Sequence, residues 1–297
     1  MLIIDPKSTS TADLHQYLLG SVAPRPIAFA STIDENGVAN LAPYSFFNCF
    51  SSNPPTLVFS SNRRVAGNTT KDTLHNVEKN KEVVISVVNY EIVRQMAVAS
   101  VTFPSDVSEF EKTGLTPVKA DLVKPFLVKE SPVNMECRVK EIISLGNEGG
   151  AGNLIICEVL RMHINENVLD DEQKIDPHKI DLMGRMGRAF YTRASGDSIY
   201  KIFQPVVPAT IGFDNLPESV RTSVVLTGNN LGQLAGMKTA PAETDILALK
   251  KQNIHIQEIL NAPERLLNLH IFAKKLLDEG DKERELAAKA LWLVDFL

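Results

Sequence analysis

The chain has 297 residues, 44% of them hydrophobic and 23% charged, proportions of a folded globular protein that exclude a disordered, collagenous or coiled-coil chain. Its 31 Lys and Arg against 36 Asp and Glu give a net charge of −5; with no long basic block, a nucleic-acid footprint is excluded and a polyanion partner is not expected. The longest apolar runs, such as Val83-Val84-Ile85-Ser86-Val87-Val88, are strand-sized and far below the roughly 20 residues of a membrane helix.

The N-terminus, Met1-Leu2-Ile3-Ile4-Asp5-Pro6, lacks a basic region followed by an apolar run and a small-residue cleavage site, so a cytoplasmic location is expected. Asp13 is a candidate cap for a short helix, Leu14 to Leu19, that Gly20 ends and Pro24 and Pro26 keep from continuing. Ile27 to Ile33 alternates as a strand. The turn Asp34-Glu35-Asn36-Gly37 follows, and Val38 to Leu41 returns, the clearest hairpin in the chain. A third strand is predicted from Tyr44 to Phe50, closed by Ser51-Ser52-Asn53-Pro54-Pro55, and a fourth from Thr56 to Ser60.

After Ser61-Asn62-Arg63-Arg64 the period changes. Thr70 is a candidate cap, Asp72 an acid in the first turn, and Leu74 and Val77 stand three apart, which predicts a helix start. Lys81 to Asn89 reads as a β-branched strand and Glu91 to Ser100 as a helix, followed by an irregular stretch from Thr102 to Ser131. Val133 to Leu145 and Leu154 to Ile164 are two long alternating strands whose connection, Gly146 to Asn153, is glycine-rich and expected to be a mobile tip. That run fits neither the P-loop nor the G-x-G-x-x-G pattern and joins two strands where a phosphate loop opens a helix, so it reads as a plain loop.

Past about Tyr200 the alternation disappears. Asn261 and Pro263 open a segment with Leu266, Leu269, Ala273 and Leu276 on one face, Gly280 ends it, and Asp281 caps another bearing Leu286, Ala290, Leu293 and Val294. This tail is expected to pack on the main domain or on a second subunit.

Chemistry-bearing patterns are few. The cysteines Cys49, Cys137 and Cys157 stand far apart, and no histidine has metal-ligand spacing to another His or Cys, so reduced buried thiols and no metal site are expected. Hydrolase elbows and zinc-protease helices are absent from the sequence. What stands out is a cluster between positions 24 and 73: Arg25, Arg63, Arg64 and Lys71 bracket Ser31, Thr32, Tyr44, Ser45, Asn48, Ser60 and Thr73. A loop with two arginines leads into a helix start whose free N–H groups attract anions, while arginine adds bidentate donors and lysine a point charge. The alternative is a solvated loop with Thr70 as an ordinary cap.

Several runs occur together in one order: Ala23-Pro24-Arg25-Pro26 before Ala28-Phe29-Ala30-Ser31-Thr32; Asn40-Leu41-Ala42-Pro43-Tyr44-Ser45-Phe46-Phe47-Asn48; Ser52-Asn53-Pro54-Pro55 before Leu57-Val58-Phe59-Ser60; and Lys71-Asp72-Thr73 before a helix. This set resembles the flavin reductase-like, FMN-binding split-barrel family that includes flavoredoxin. The resemblance covers roughly residues 10 to 200 and leaves 201–297 as a helical C-terminal extension. It implies a mainly β (α+β) fold: a six-stranded Greek-key split barrel with peripheral helices, binding FMN without a covalent bond at a homodimer interface.

Carried onto this sequence, the resemblance places Tyr44, Ser45, Phe46 and Asn48 along the flavin ring, with Ser31 and Thr32 in the same cofactor-binding set. It places Ser60, Arg63, Arg64, Lys71 and Thr73 on the ribityl phosphate. Gly184-Arg185-Met186-Gly187-Arg188-Ala189-Phe190-Tyr191 resembles the stretch that closes the domain, with Tyr191 near the flavin. Phe46, Phe47 and Tyr191 read equally well as plain core. The implied activity is electron transfer from NADH or NADPH through FMN to a flavin, protein or small-molecule acceptor, with no catalytic proton-transfer residue required because the flavin carries the chemistry. A non-enzymatic FMN-binding electron carrier is the alternative.

Overall fold

In the computed structural model, residues 1–202 and 210–296 are described, and they divide into two compact units, Met1–Tyr200 and Lys201–Leu297. The part of the expected helical tail at 203–209 lies outside the described residues.

In the first unit, helix α1 spans Thr11–Ser21 and is capped by Ser10, whose hydroxyl accepts from the Asp13 N–H, so the cap lies three residues earlier than Asp13 and Gly20 falls inside the helix. Strand β1 (Ala28–Ile33) turns through Asp34, whose carboxylate accepts from the N–H groups of Asn36 and Val38 at 2.9 and 2.7 Å, and Gly37 takes φ +87°, which favours glycine. Strand β2 (Ala39–Tyr44) runs on through Pro43, farther than predicted. That is permitted because β2 is a sheet edge, where a missing N–H breaks no ladder bond. Then come β3 (Phe47–Ser52), β4 (Pro55–Ser60), α2 (Asp72–Asn80), β5 (Glu82–Val87), α3 (Val93–Val98) and α4 (Glu109–Thr113). After them follow β6 (Pro117–Val118), β7 (Leu127–Val128), β8 (Val133–Ser144), β9 (Asn153–Ile164), α5 (Pro177–Ile180), β10 (Met183–Arg185) and β11 (Tyr191–Arg193). The stretch expected to be irregular therefore holds α4 and the paired β6 and β7.

Seven strands form one antiparallel sheet in the order β2-β1-β5-β8-β9-β4-β3. Laid flat, seven strands at about 4.8 Å spacing would put the edges roughly 29 Å apart. Yet the edge strands β2 and β3 are joined by Ser45 and Phe46 alone, a link of about 11 Å at most. The sheet must therefore curl until its edges meet, with a seam at Ser45-Phe46. Edges β2 and β3 are not paired with each other, so the barrel stays open and has seven strands where the resemblance implies six. Bulges in β8 and β9 at Glu136/Cys137 and Val139/Glu141 add the twist that such curling needs.

The alternation of β1 sends Ala28, Ala30 and Thr32 to one core, with Phe59, Val77 and Ile85, and Phe29 and Ser31 to the other, where Phe29 meets Leu41, Met96 and Phe110. Cys137 and Cys157 are buried thiols, and burial pushes the Cys137 thiol up to about 12. Cys49, expected inside, is exposed because it lies on the edge strand β3.

The second unit is helical: α6 (Glu218–Arg221), α7 (Gly228–Ala235), α8 (Glu243–Gln252), α9 (Ile254–Asn261), α10 (Arg265–Asp278) and α11 (Arg284–Trp292) enclose a core that includes Leu234, Ile256, Leu269, Ala273, Leu277 and Leu291. Gly280, at φ +111°, ends the turn after α10 as expected, whereas α11 begins at Arg284 with Glu283 at its N-cap, later than the predicted start. Leu266, placed on the apolar face by periodicity, is 39% exposed. Among the described residues no helix is long and apolar enough to cross a membrane.

Candidate functional site

The seam opens onto a cavity of about 570 Å³, with Ser45, Phe46 and Asn48 on one side, Phe59 and Ser60 at the end of β4, and Leu14, His15 and Leu18 of α1 opposite. A second, smaller opening of about 60 Å³ is lined by Arg64, Lys71 and Thr73 with Asn40, Pro43 and Glu109. Tyr44 stands between the two. Its ring receives the Lys71 ammonium at 4.8 Å and packs on Phe59 at 5.1 Å. Burial pushes the Tyr44 phenol up to about 12, and Thr73 and Ser61 lie beside it without a well-aligned hydrogen bond.

The smaller opening brings two cations, Arg64 and Lys71, together with two carboxylates, Asp72 and Glu109, the latter accepting from the Leu41 N–H at 2.9 Å. Lys71 is the N-cap residue of α2 and contributes no side-chain capping bond, so it is Lys71, not Thr70, that stands at the helix start. Thr70 instead bonds His75. Arg64 reaches the Thr69 hydroxyl at 3.1 Å and the Thr70 carbonyl at 2.7 Å. Among the described residues neither Arg64 nor Lys71 forms an ion pair. Burial, with Arg64 nearby, holds the Lys71 ammonium below its ordinary value. The half-buried ammonium and the guanidinium stand at a helix start, where free N–H groups favour an anion, and the Asp72 and Glu109 carboxylates line the same opening.

The remaining predicted residues divide clearly. Thr32 and Thr73 are fully buried and are tied down by Asn40, whose amide donates to them at 3.2 and 2.9 Å, while Asn76 donates to Thr32 at 3.1 Å. This network anchors α2 on β1 and β2, and Thr73 alone of the pair also lines an opening. Ser31 points away from Thr32, on the other side of β1, and its hydroxyl is buried without a partner. Arg63 turns to Asn68, donating to its side chain and backbone at 2.6 and 2.8 Å, and lines neither opening. Tyr191 also lines neither: on β11 it packs under the Arg185 guanidinium at 4.6 Å. Sequence reasoning missed Asn40 and Glu109, and the three α1 residues. Asn40 is the one with a signal, an amide one residue before a strand's apolar Leu41.

The glycine-rich tip between β8 and β9 is docked, not loose. Gly150 donates to the Arg63 carbonyl at 3.1 Å, Arg63 donates to the Ala151 carbonyl at 2.9 Å, and the Asn153 amide donates to the Ser61 carbonyl at 2.9 Å. At Gly149 an added Cβ would lie 2.7 Å from the Val65 carbonyl oxygen and 3.2 Å from that of Arg64. Gly149→Ala should therefore displace the loop that carries Arg64 and weaken anion binding about tenfold, about 1.4 kcal/mol, whereas Gly146→Ala, whose Cβ meets only the Ala151 methyl at 3.5 Å, should leave it unchanged. Calorimetric titration of both variants with inorganic phosphate checks this.

One group of metal-ligand residue types, unseen in the spacing, is brought together: Asp121, Glu136 and His163. Its central carboxylate is already committed. Glu136 accepts from the N–H groups of Asp121, Leu122 and Val123 at 3.2, 2.6 and 3.1 Å and lies 2.6 Å from His163, while Arg161 holds Asp121. The arrangement is a clamp between β8, β9 and the loop before β7.

Residues 19–182 match the flavin reductase like domain family. A protein of Aquifex aeolicus is 36% identical over 196 residues, covering 66% of this chain and 97% of that relative. The crystal structure of nitrilotriacetate monooxygenase component B from Bacillus cereus superposes with TM-score 0.62 at 30% identity, over 69% of this chain and 98% of that one. A 2-nitrobenzoate 2-nitroreductase from Pseudomonas fluorescens shares the fold with TM-score 0.62 at 24% identity, over 70% and 99%. With the domain model spanning more than half of its length and the open barrel matching in space, the chain belongs to the flavin reductase-like family.

Proposed function

We propose that the chain is an FMN-dependent oxidoreductase that takes electrons from NADH or NADPH and passes them to a flavin, a protein or a small-molecule acceptor, and that it works as a homodimer. The observation that carries this reading is the Arg64 and Lys71 pair at the start of α2, neither of them in a salt bridge among the described residues although Asp72 and Glu109 line the same opening. Bound FMN supplies the hydride and electron chemistry itself. The chain's own share is placement: Lys71 and Arg64 hold the phosphate, Tyr44 fixes the Lys71 ammonium against its ring, Ser45 and Asn48 present polar groups at the seam, and Phe46 and Phe59 exclude water. A second copy is favoured by the seam itself, since Phe46 and Phe50 beside it are 39% and 68% exposed next to an unpaired edge strand.

The test is reconstitution of the purified protein with FMN, followed by its visible spectrum, NADH and NADPH oxidation, and light scattering. Flavin absorption that stays with the protein, turnover with one of the two donors, and a dimeric mass are expected. A yellow protein without turnover moves the reading to an electron carrier. Failure to retain FMN overturns it.

A further inference from the structure

We infer that Arg25 is a positioning residue that latches helix α1 in place as the movable wall of the seam cavity, an inference that rests on the flavin reading only for what the cavity holds. Helix α1 supplies Leu14, His15 and Leu18 to that wall, yet none of its 11 residues is buried. Burial therefore contributes little to holding it. Its C-terminal end is tied by one side chain from the next segment, Arg25, which also lines the seam cavity. Arg25 is 5% exposed, and its guanidinium donates to the carbonyls of Leu19 and Val22 at 2.5 and 2.6 Å and to the carbonyl of Met186 at 2.9 Å.

The first two acceptors are unsatisfied carbonyls at the C-terminal end of α1, where the helix dipole is negative and a cation is favourable. The third lies between β10 and β11. Arg25 is itself pinned there by a backbone pair with Arg185, at 2.9 and 2.8 Å in the two directions. Among the described residues it has no carboxylate partner, so its charge is balanced only by carbonyl dipoles.

An independent feature marks the same contact. A Cβ on Gly187 would come within 3.2 Å of the Gly20 Cα, a tight contact that α1 could accept only by shifting a few tenths of an ångström away from the turn after β10. The Pro24-Arg25-Pro26 run and the Gly184 to Tyr191 stretch, which stand out in the sequence 160 residues apart, thus meet at one structural task. They carry α1.

Hydrogen exchange of the apoprotein tests this without any flavin. Arg25→Ala and Gly187→Ala are each expected to speed exchange in residues 11–22 about tenfold, with β5 and β8 unchanged, and Arg25→Lys by less, between wild type and Ala, because lysine keeps the charge but lacks the guanidinium fork. On the FMN-loaded protein, the variants that loosen α1 are expected to release FMN several-fold faster. Unchanged α1 exchange in both Arg25 variants overturns the latch. So does faster FMN release in Arg25→Ala alone while Gly187→Ala loosens α1 without effect, because Arg25 then acts on the ligand directly. If Arg25→Ala does not fold, Arg25→Lys and Gly187→Ala carry both readings. A wild type that binds no FMN removes the flavin reading and leaves the exchange result standing.

Discussion

Replacing Arg64 and Lys71 together by alanine is expected to lower the affinity of the apoprotein for FMN by two to four orders of magnitude, since each charge-assisted bond to phosphate is worth roughly 1.5–3 kcal/mol. Riboflavin, which lacks the phosphate, should bind the wild type weakly and lose little further affinity in the variant. Arg63→Ala is the internal control: its guanidinium is committed to Asn68, so it should cost far less. The sign of the pH dependence follows from Lys71. Burial and then Arg64 hold its ammonium below the ordinary lysine value, so the phosphate-binding charge is lost as pH rises through that lowered value. FMN affinity should therefore fall on the alkaline side earlier than an exposed lysine would allow, and Arg64→Ala should move that fall to higher pH. Fluorescence titration across pH measures both. Equal FMN affinity in wild type and double variant would place the phosphate elsewhere.

The largest stability effect is expected at Glu136. Its side chain is fully buried yet holds three backbone N–H groups and His163. Glu136→Ala leaves these donors without an acceptor, and breaking a buried charged network from one side costs about 3–5 kcal/mol. Burial pushes the Glu136 carboxyl up, but the bonds from His163 and from Leu122, Asp121 and Val123 outweigh it and hold the group below its ordinary value. The folded form therefore binds fewer protons than the unfolded chain. Its contribution is present at neutral pH and is lost as pH falls below the unfolded carboxyl value and through the folded one. Denaturant titration at neutral and acid pH should show a lower midpoint in Glu136→Ala and a shallower decline on acidification. A loss under about 1 kcal/mol with an unaltered acid limb would show that the clamp is not structural.

Much of the first unit was legible. The hairpin through Asp34 and Gly37, the long paired strands β8 and β9, and the cluster of cations ahead of α2 all come from patterns within a few residues of one another, where alternation, turn chemistry and helix-start residues act directly. The β1 alternation puts Ser31 and Thr32 on opposite faces, and neither side chain lines either opening. Cap positions shifted at α1, α2 and α11 because several nearby polar residues competed for each end.

By itself the sequence determined the strand-rich first unit, the helical tail, the family resemblance and the residue types of the proposed anion site. Only the tertiary structure decided which of those residues meet. It set Arg64 and Lys71 at one opening and Ser45, Phe46, Asn48 and Ser60 at another, with Tyr44 between them. It docked the glycine-rich tip on the Arg63 loop, across 88 positions at Asn62 and Gly150, where composition alone suggested mobility. It brought Arg25 to Met186, 161 positions away. Local patterns fix backbone conformation because their energies act between near neighbours. Contacts over such separations depend on how the curled sheet closes, which is set by the joint burial of many side chains and is carried by no single segment.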